Sequence, residues 1–146
     1  MMFKDGSYKG NITNNKRKGY GKMTYNSGQV YEGEWKDDKM HGEGKMTYND
    51  GSIYEGQWKN NKVNGKGTVR YADGSSYEGG WKDDKMHGQG KYTSPCSSVY
   101  IGEFKDDYYH GYGKYTWFDG DEYEGEWKYD RRDGQGKYFW DDNVYE

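Results

Sequence analysis

The tripeptide Tyr-Glu-Gly, or a close variant, returns every 23 residues along the chain, starting at Tyr8, Tyr31, Tyr54, Tyr77, Tyr100 and Tyr123. Four residues after each tyrosine stands Ile12, Trp35, Trp58, Trp81, Phe104 or Trp127. A glycine pair closes each unit: Gly19/Gly21, Gly42/Gly44, Gly65/Gly67, Gly88/Gly90, Gly111/Gly113 and Gly134/Gly136. A fixed period of this length marks a repeat array, in which each unit buries its apolar face against its neighbours. Residues 1–146 therefore read as a single array rather than a domain with a closed core.

Composition supports that reading. Hydrophobic residues are 30% of the chain and leucine is absent, with a mean hydropathy of -1.51. A disordered chain is also poor in aliphatics, but it lacks regularly placed aromatics. Here 18 Tyr, 6 Trp and 4 Phe recur in register with 24 Gly, so the burial has to be aromatic.

Within Tyr31–Ile53 the segment Tyr31-Glu32-Gly33-Glu34-Trp35-Lys36 alternates as a half-exposed strand does. A polar turn at Asp37-Asp38-Lys39-Met40 leads into a second alternating segment, His41 to Tyr48. Asn49-Asp50-Gly51-Ser52 supplies another turn, rich in residues that tolerate left-handed backbone. Each unit is a β-hairpin. The expected fold is all-β: an elongated single-layer antiparallel meander of about six hairpins, twisted and curved into a trough.

A four-residue loop sets Trp35 opposite Gly42, Gly33 opposite Gly44 and Tyr31 opposite Met46, with the glycines as floor for the indole. The same register places Glu32 opposite Lys45, Glu78 opposite Lys91 and Glu124 opposite Lys137, on a charge-paired outer face.

The pattern YEGEWKDDKMHGEGKMTYNDGS resembles the MORN repeat (membrane occupation and recognition nexus), from Tyr8 through Val144. The resemblance implies a curved sheet of hairpins acting as a scaffold, often in cilia, cytoskeleton or membrane–organelle junctions. Some members carry the repeats beside a catalytic domain; here the repeats occupy the chain. Three departures stand out. Repeat one has Ile12 and a basic turn (Lys16, Arg17, Lys18), consistent with a terminal cap. Repeat four replaces its turn by Ser94-Pro95-Cys96-Ser97-Ser98, which predicts a local gap or altered loop. Repeat six is one residue short at Asp141-Asp142-Asn143, and a seventh unit begins at Tyr145; this reads either as a truncation or as an edge strand.

Motifs with chemistry are few. His41, His87 and His110 share one repeat position, and equivalent positions in adjacent repeats lie roughly 10 Å apart by strand spacing, too far to share a zinc ion. The Asp-Asp turns lack the ligand order of a calcium loop, and the Gly-x-Gly-Lys segments lack a helix N-terminus for phosphate. Cys96 has no neighbour in sequence that lowers a thiol pKa. No catalytic residue, metal site or cofactor is expected. A net charge of -3 offers no field for nucleic acid. One cysteine and no apolar leader read as a cytoplasmic location, with cytoskeletal or ciliary association implied by the resemblance.

The aromatic row changes along the chain. Met23, Met46 and Val69 give way to Tyr92, Tyr115 and Tyr138, and the neighbouring position runs from Tyr25, Tyr48 and Tyr71 through Ser94 to Trp117 and Trp140. The main reading is a non-catalytic protein-interaction scaffold, with an extended or helical partner segment across Phe104, Tyr115, Trp117, Trp127, Tyr138 and Trp140. Two others stand beside it: a peripheral membrane module binding acidic phospholipid headgroups at Lys16, Arg17 and Lys18, and a repeat domain appended to an enzyme in a longer chain. The open sheet ends also permit a homodimer.

Overall fold

In the computed structural model the described residues are 1–140, together with the backbone of 143–145. They form one 14-stranded antiparallel sheet whose strands follow chain order throughout. The strands are β1 (Met2–Phe3), β2 (Gly6–Thr13), β3 (Lys16–Tyr25), β4 (Val30–Lys36), β5 (Lys39–Thr47), β6 (Ile53–Lys59) and β7 (Lys62–Arg70). They continue with β8 (Ser76–Lys82), β9 (Lys85–Thr93), β10 (Val99–Lys105), β11 (Tyr108–Thr116), β12 (Glu122–Lys128), β13 (Arg131–Trp140) and β14 (Asn143–Tyr145). The sheet is a pure meander, and no helix occurs among the described residues. Asp141, Asp142 and Glu146, on which part of the repeat-six reading falls, lie outside the described residues.

The expected register holds through Tyr31↔Met46, Glu32↔Lys45 and Gly33↔Gly44, then breaks. Trp35 pairs with Met40, not Gly42, and Lys36 pairs with Lys39. The loop is therefore two residues rather than four. Asp37 and Asp38 take φ of 48° and 68°, the pair of left-handed residues that lets a two-residue turn follow the right-handed twist of its strands. Asx residues reach this region at low cost, so Asn14-Asn15, Asn60-Asn61, Asp83-Asp84 and Asp106-Asp107 make the same turn. Tyr129 does so at φ 49°, supported by edge contacts to Tyr108 and His110.

The residues saved in the loop reappear as a bulge. Between the Gly33↔Gly44 and Trp35↔Met40 pairs, one residue of β4 faces three of β5. Glu34 fills the kink: its Oε2 accepts from the Glu43 amide at 2.6 Å. Gln57, Glu103 and Glu126 repeat the bond to Lys66, Tyr112 and Gln135. Repeat four has Gly80 there, and the His87 carbonyl moves in so far that a Cβ on Gly80 would stand 2.2 Å from it.

The core is a ladder of rings. Tyr8, Tyr31, Tyr54, Tyr77 and Tyr100 are at most 1% exposed. Each stands edge-on to the indole or phenyl ring of its own repeat or the next, from Tyr8–Trp35 to Tyr123–Trp127. Such a contact adds roughly 0.5–1.5 kcal/mol beyond area burial. The floor beneath the rings differs from expectation. It is the tyrosine, not the indole, that lies on glycine: a Cβ on Gly44 would stand 2.2 Å from the Tyr31 hydroxyl. The hydroxyl donates to the carbonyl three residues on, Tyr31 to Glu34 at 2.8 Å, so the buried polar tip is satisfied. The indoles reach back one repeat, with Trp35 donating to the Gly21 carbonyl at 3.2 Å and Trp58 to Gly44 at 3.1 Å.

Candidate functional site

The two-residue turns join one repeat to the next. Asp38 donates its amide to the Arg17 carbonyl and accepts the Arg17 amide on Oδ1. Asn61, Asp84, Asp107 and Asp130 bind Met40, Val63, Met86 and Tyr109 in the same two-point way. This row of side chains forms one rim of the ring-bearing face. The other turn row, with Asp50 and Asp73 bonding Ser52 and Ser75, forms the opposite rim.

Between the rims the face is grooved. One depression of about 730 Å³ is lined by Met46, Tyr48, Val69, Tyr71, Asp50 and Asp84 among others. The next, about 650 Å³, is lined by Tyr71, Met86, Tyr92, Phe104 and Tyr109, with Asp50, Asp73, Asp107 and Asp130 around it. No lysine or arginine lines either one. Burial, helped by the charge of Asp84 for the first and Asp107 for the second, pushes the Tyr48 and Tyr71 phenols up to about 12. These hydroxyls stay protonated at neutral pH and remain hydrogen-bond donors.

The six residues singled out in the C-terminal third divide by depth. Phe104 and Trp127 are 3% and 6% exposed and belong to the core. Tyr115, Trp117 and Tyr138 are half-buried and Trp140 is exposed. Tyr115 lies tilted against Trp117 at 4.8 Å and reaches Tyr109 at 6.1 Å, which carries the aromatic row on from the second depression. Sequence reasoning missed Tyr109, a tyrosine found at its repeat position in one unit, and the acidic rim, which recurs with the repeat period.

Lys16, Arg17 and Lys18 are not a turn; they open β3 after the Asn14-Asn15 turn. Arg17 faces inward and is 6% exposed. Its guanidinium lies 4.7 Å from the Phe3 ring and 4.5 Å from Trp35. Nε donates to Asp38 at 2.6 Å, and Nη1 lies 3.5 Å from Asp5. The stretch thus presents only Lys16 and Lys18 outward, and the concentrated basic site of the phospholipid reading is not formed. On the outer face, Glu32, Glu78 and Glu124 do oppose Lys45, Lys91 and Lys137. The close ion pairs form instead across repeat junctions, Lys22–Glu32 at 3.4 Å and Lys45–Glu55 at 3.8 Å.

The altered turn of repeat four keeps its backbone. The Ser94 amide donates to the Ser98 carbonyl and the Ser97 amide to the Ser94 carbonyl, as the Tyr71 and Gly74 amides do to Ser75 and Tyr71 one repeat earlier. Ser97 takes the glycine's place at φ 72°. Only the ring is lost. The Ser94 and Ser98 hydroxyls lie 3.2 Å and 3.7 Å from the Cys96 sulfur and lower its pKa, a local effect the sequence did not show. Among the described residues no cluster of His, Cys, Asp or Glu is arranged to hold a metal ion.

An open meander of near-identical hairpins with a grooved aromatic face defines a β-repeat protein. The chain belongs to the MORN repeat family, whose profile matches residues 8–30, 31–53, 54–76, 77–95, 100–122 and 123–145. The fourth match stops within the altered turn. Comparison with curated protein sequences gives no match. Among solved structures, the chain is similar to the SAS-4 (dCPAP) TCP domain of Drosophila melanogaster, in complex with a proline-rich motif of Ana2 (dSTIL). The TM-score is 0.54 at 11% identity, covering 88% of this chain and 72% of that one.

Proposed function

We propose that this chain is a non-catalytic protein-interaction scaffold that takes up a segment of a protein partner along its grooved face. The observation that carries this reading is the division of the rings into two rows. The inner row, Tyr8 to Trp127, is buried and holds the fold. The outer row, including Tyr48, Tyr71, Tyr92, Tyr109, Tyr115, Trp117 and Tyr138, is half-buried, with the Arg132 guanidinium over the Tyr138 and Trp117 rings at its C-terminal end. Half-buried tyrosine and tryptophan in a continuous strip are what binding surfaces use as anchors. The similar TCP domain is in complex with a proline-rich motif, which supports a linear segment as occupant. A cytoplasmic, cytoskeletal or ciliary assembly is the setting that fits a scaffold of this kind.

The test is affinity capture with mass spectrometry, using the wild-type chain and a Trp117→Ala/Trp140→Ala variant. Both side chains lie outside the buried ladder, so the variant should keep the melting curve of the N-terminal repeats. It should lose at least tenfold in affinity for the captured partner; unchanged binding refutes the C-terminal aromatics as anchors.

A further inference from the structure

The occupant's chemistry can be read from a side chain the protein already places in its own groove. Arg17 stands at the repeat position held in the next four units by Met40, Val63, Met86 and Tyr109 and in the sixth by Arg132, whose guanidinium lies over the Tyr138 ring. Its guanidinium lies on the Trp35 ring and bonds the turn residue Asp38 at 2.6 Å. The equivalent turn residues Asp84, Asp107 and Asp130 are also carboxylates, each with Oδ1 on the backbone amide of the previous repeat. Their neighbours are apolar or aromatic, and among the described residues none of the three forms an ion pair with a lysine or arginine. Asp50 and Asp73 add negative charge from the opposite rim.

Resting on the scaffold reading above, we infer that the partner segment is a polyproline II stretch with a basic residue, preferably arginine, at every third position. Those residues meet Asp84, Asp107 and Asp130 as Arg17 meets Asp38. Spacing supports this conformation. Equivalent positions in adjacent repeats are two strands apart, roughly 10 Å. Three residues of polyproline II advance about 9.3 Å and return the side chain to the same face. A β-strand covers a similar distance in three residues but points the third side chain the other way. An α-helix with arginines seven apart also spans about 10.5 Å, but its carbonyls are used internally. Polyproline II leaves its carbonyls free. The Tyr71, Tyr92 and Tyr109 hydroxyls make no hydrogen bond among the described residues and can donate to them. Aromatic-lined grooves take polyproline II segments in this way.

The experiment is calorimetric titration of the full chain with twelve-residue peptides. One has four Arg-Pro-Pro units; the others put Gln or Glu in place of Arg, and a helical peptide carries Arg every seventh residue. The Arg-Pro-Pro peptide should bind at least tenfold more tightly than the others. The Asp84→Asn/Asp107→Asn/Asp130→Asn variant should remove that advantage with only a small fall in Tm, because asparagine already makes the same turn contact at Asn61, whose Oδ1 accepts from Met40. Equal binding of the Gln and Arg peptides, preference for the helical peptide, or an unaffected triple variant each overturns the inference. Equal binding of the neutral and cationic peptides would leave the scaffold reading standing. Failure of that reading shows separately, when affinity capture with the wild-type chain retains no partner.

Discussion

At the residue scale the fold turns on a tyrosine lying flat on a glycine. The Tyr31 hydroxyl and ring would stand 2.2–2.5 Å from a Cβ on Gly44, and Gly21, Gly67, Gly90, Gly113 and Gly136 lie under their tyrosines in the same way. A neighbour so close to a ring held on both sides by indoles cannot yield. Gly44→Ala should therefore destabilise the chain by about 1–3 kcal/mol, the usual cost of overpacking, as read by urea unfolding. Alanine raises β-propensity over glycine, so a stabilising effect would refute the packing argument. The glycines, weak strand residues elsewhere, here let the ring descend far enough for its hydroxyl to reach the carbonyl three residues on.

At the element scale the hairpins are closed by one device and joined by another. Two left-handed residues close each turn, and the second of them bonds the preceding repeat 21 residues back. Asp107→Ala breaks the bond to the Met86 amide and puts alanine at φ 73°, whereas Asp107→Asn preserves both. The alanine variant should lose about 1 kcal/mol or somewhat more and the asparagine variant a few tenths, measured as a difference in urea midpoint. Equal losses would show that the turn residue serves only its own hairpin. The repeat-four junction makes a related point. Gly80 departs from the Glu or Gln of repeats two, three, five and six, and the His87 carbonyl stands in the space.

At the scale of the whole molecule, strands pair only with their neighbours in sequence, so stability is close to a sum over repeats and junctions. A change at one end should stay there. The hydrogen bond from Arg17, with help from its backbone amide and charge, holds the Asp38 carboxyl below its ordinary 3.8 despite the opposing effect of burial. A carboxylate depressed in the folded state contributes stability that is complete above its unfolded pKa and is lost as pH falls through its folded pKa. Below that point Arg17 loses the charge of Asp38 and keeps its bond to the Asp38 carbonyl and Asp5, 3.5 Å away. Hydrogen exchange should show β1 to β4 losing protection first as pH drops below about 3.8, with β6 to β12 little changed. Asp38→Asn should abolish this pH dependence and lower protection of the same strands at neutral pH. Uniform loss along the sheet would refute the one-dimensional description.

Much of this was legible in the 23-residue period: six hairpins in chain order, one charged and one ring-bearing face, and the pairing of Tyr31 with Met46 and Gly33 with Gly44. Alternation and spacing are local properties, and a repeated local pattern has few ways to stack. The sequence did not reveal which ring lies on which glycine, that loop residues would move into a bulge seated on Glu34, or that Arg17 turns inward. Each depends on contacts across the bulge or between repeats, where side-chain length and backbone kink decide together and periodicity is silent. The groove belongs to the same category. Its tyrosines and aspartates are regular in sequence, but only the tertiary structure sets the rims across from each other and leaves three carboxylates without the cation that Asp38 has.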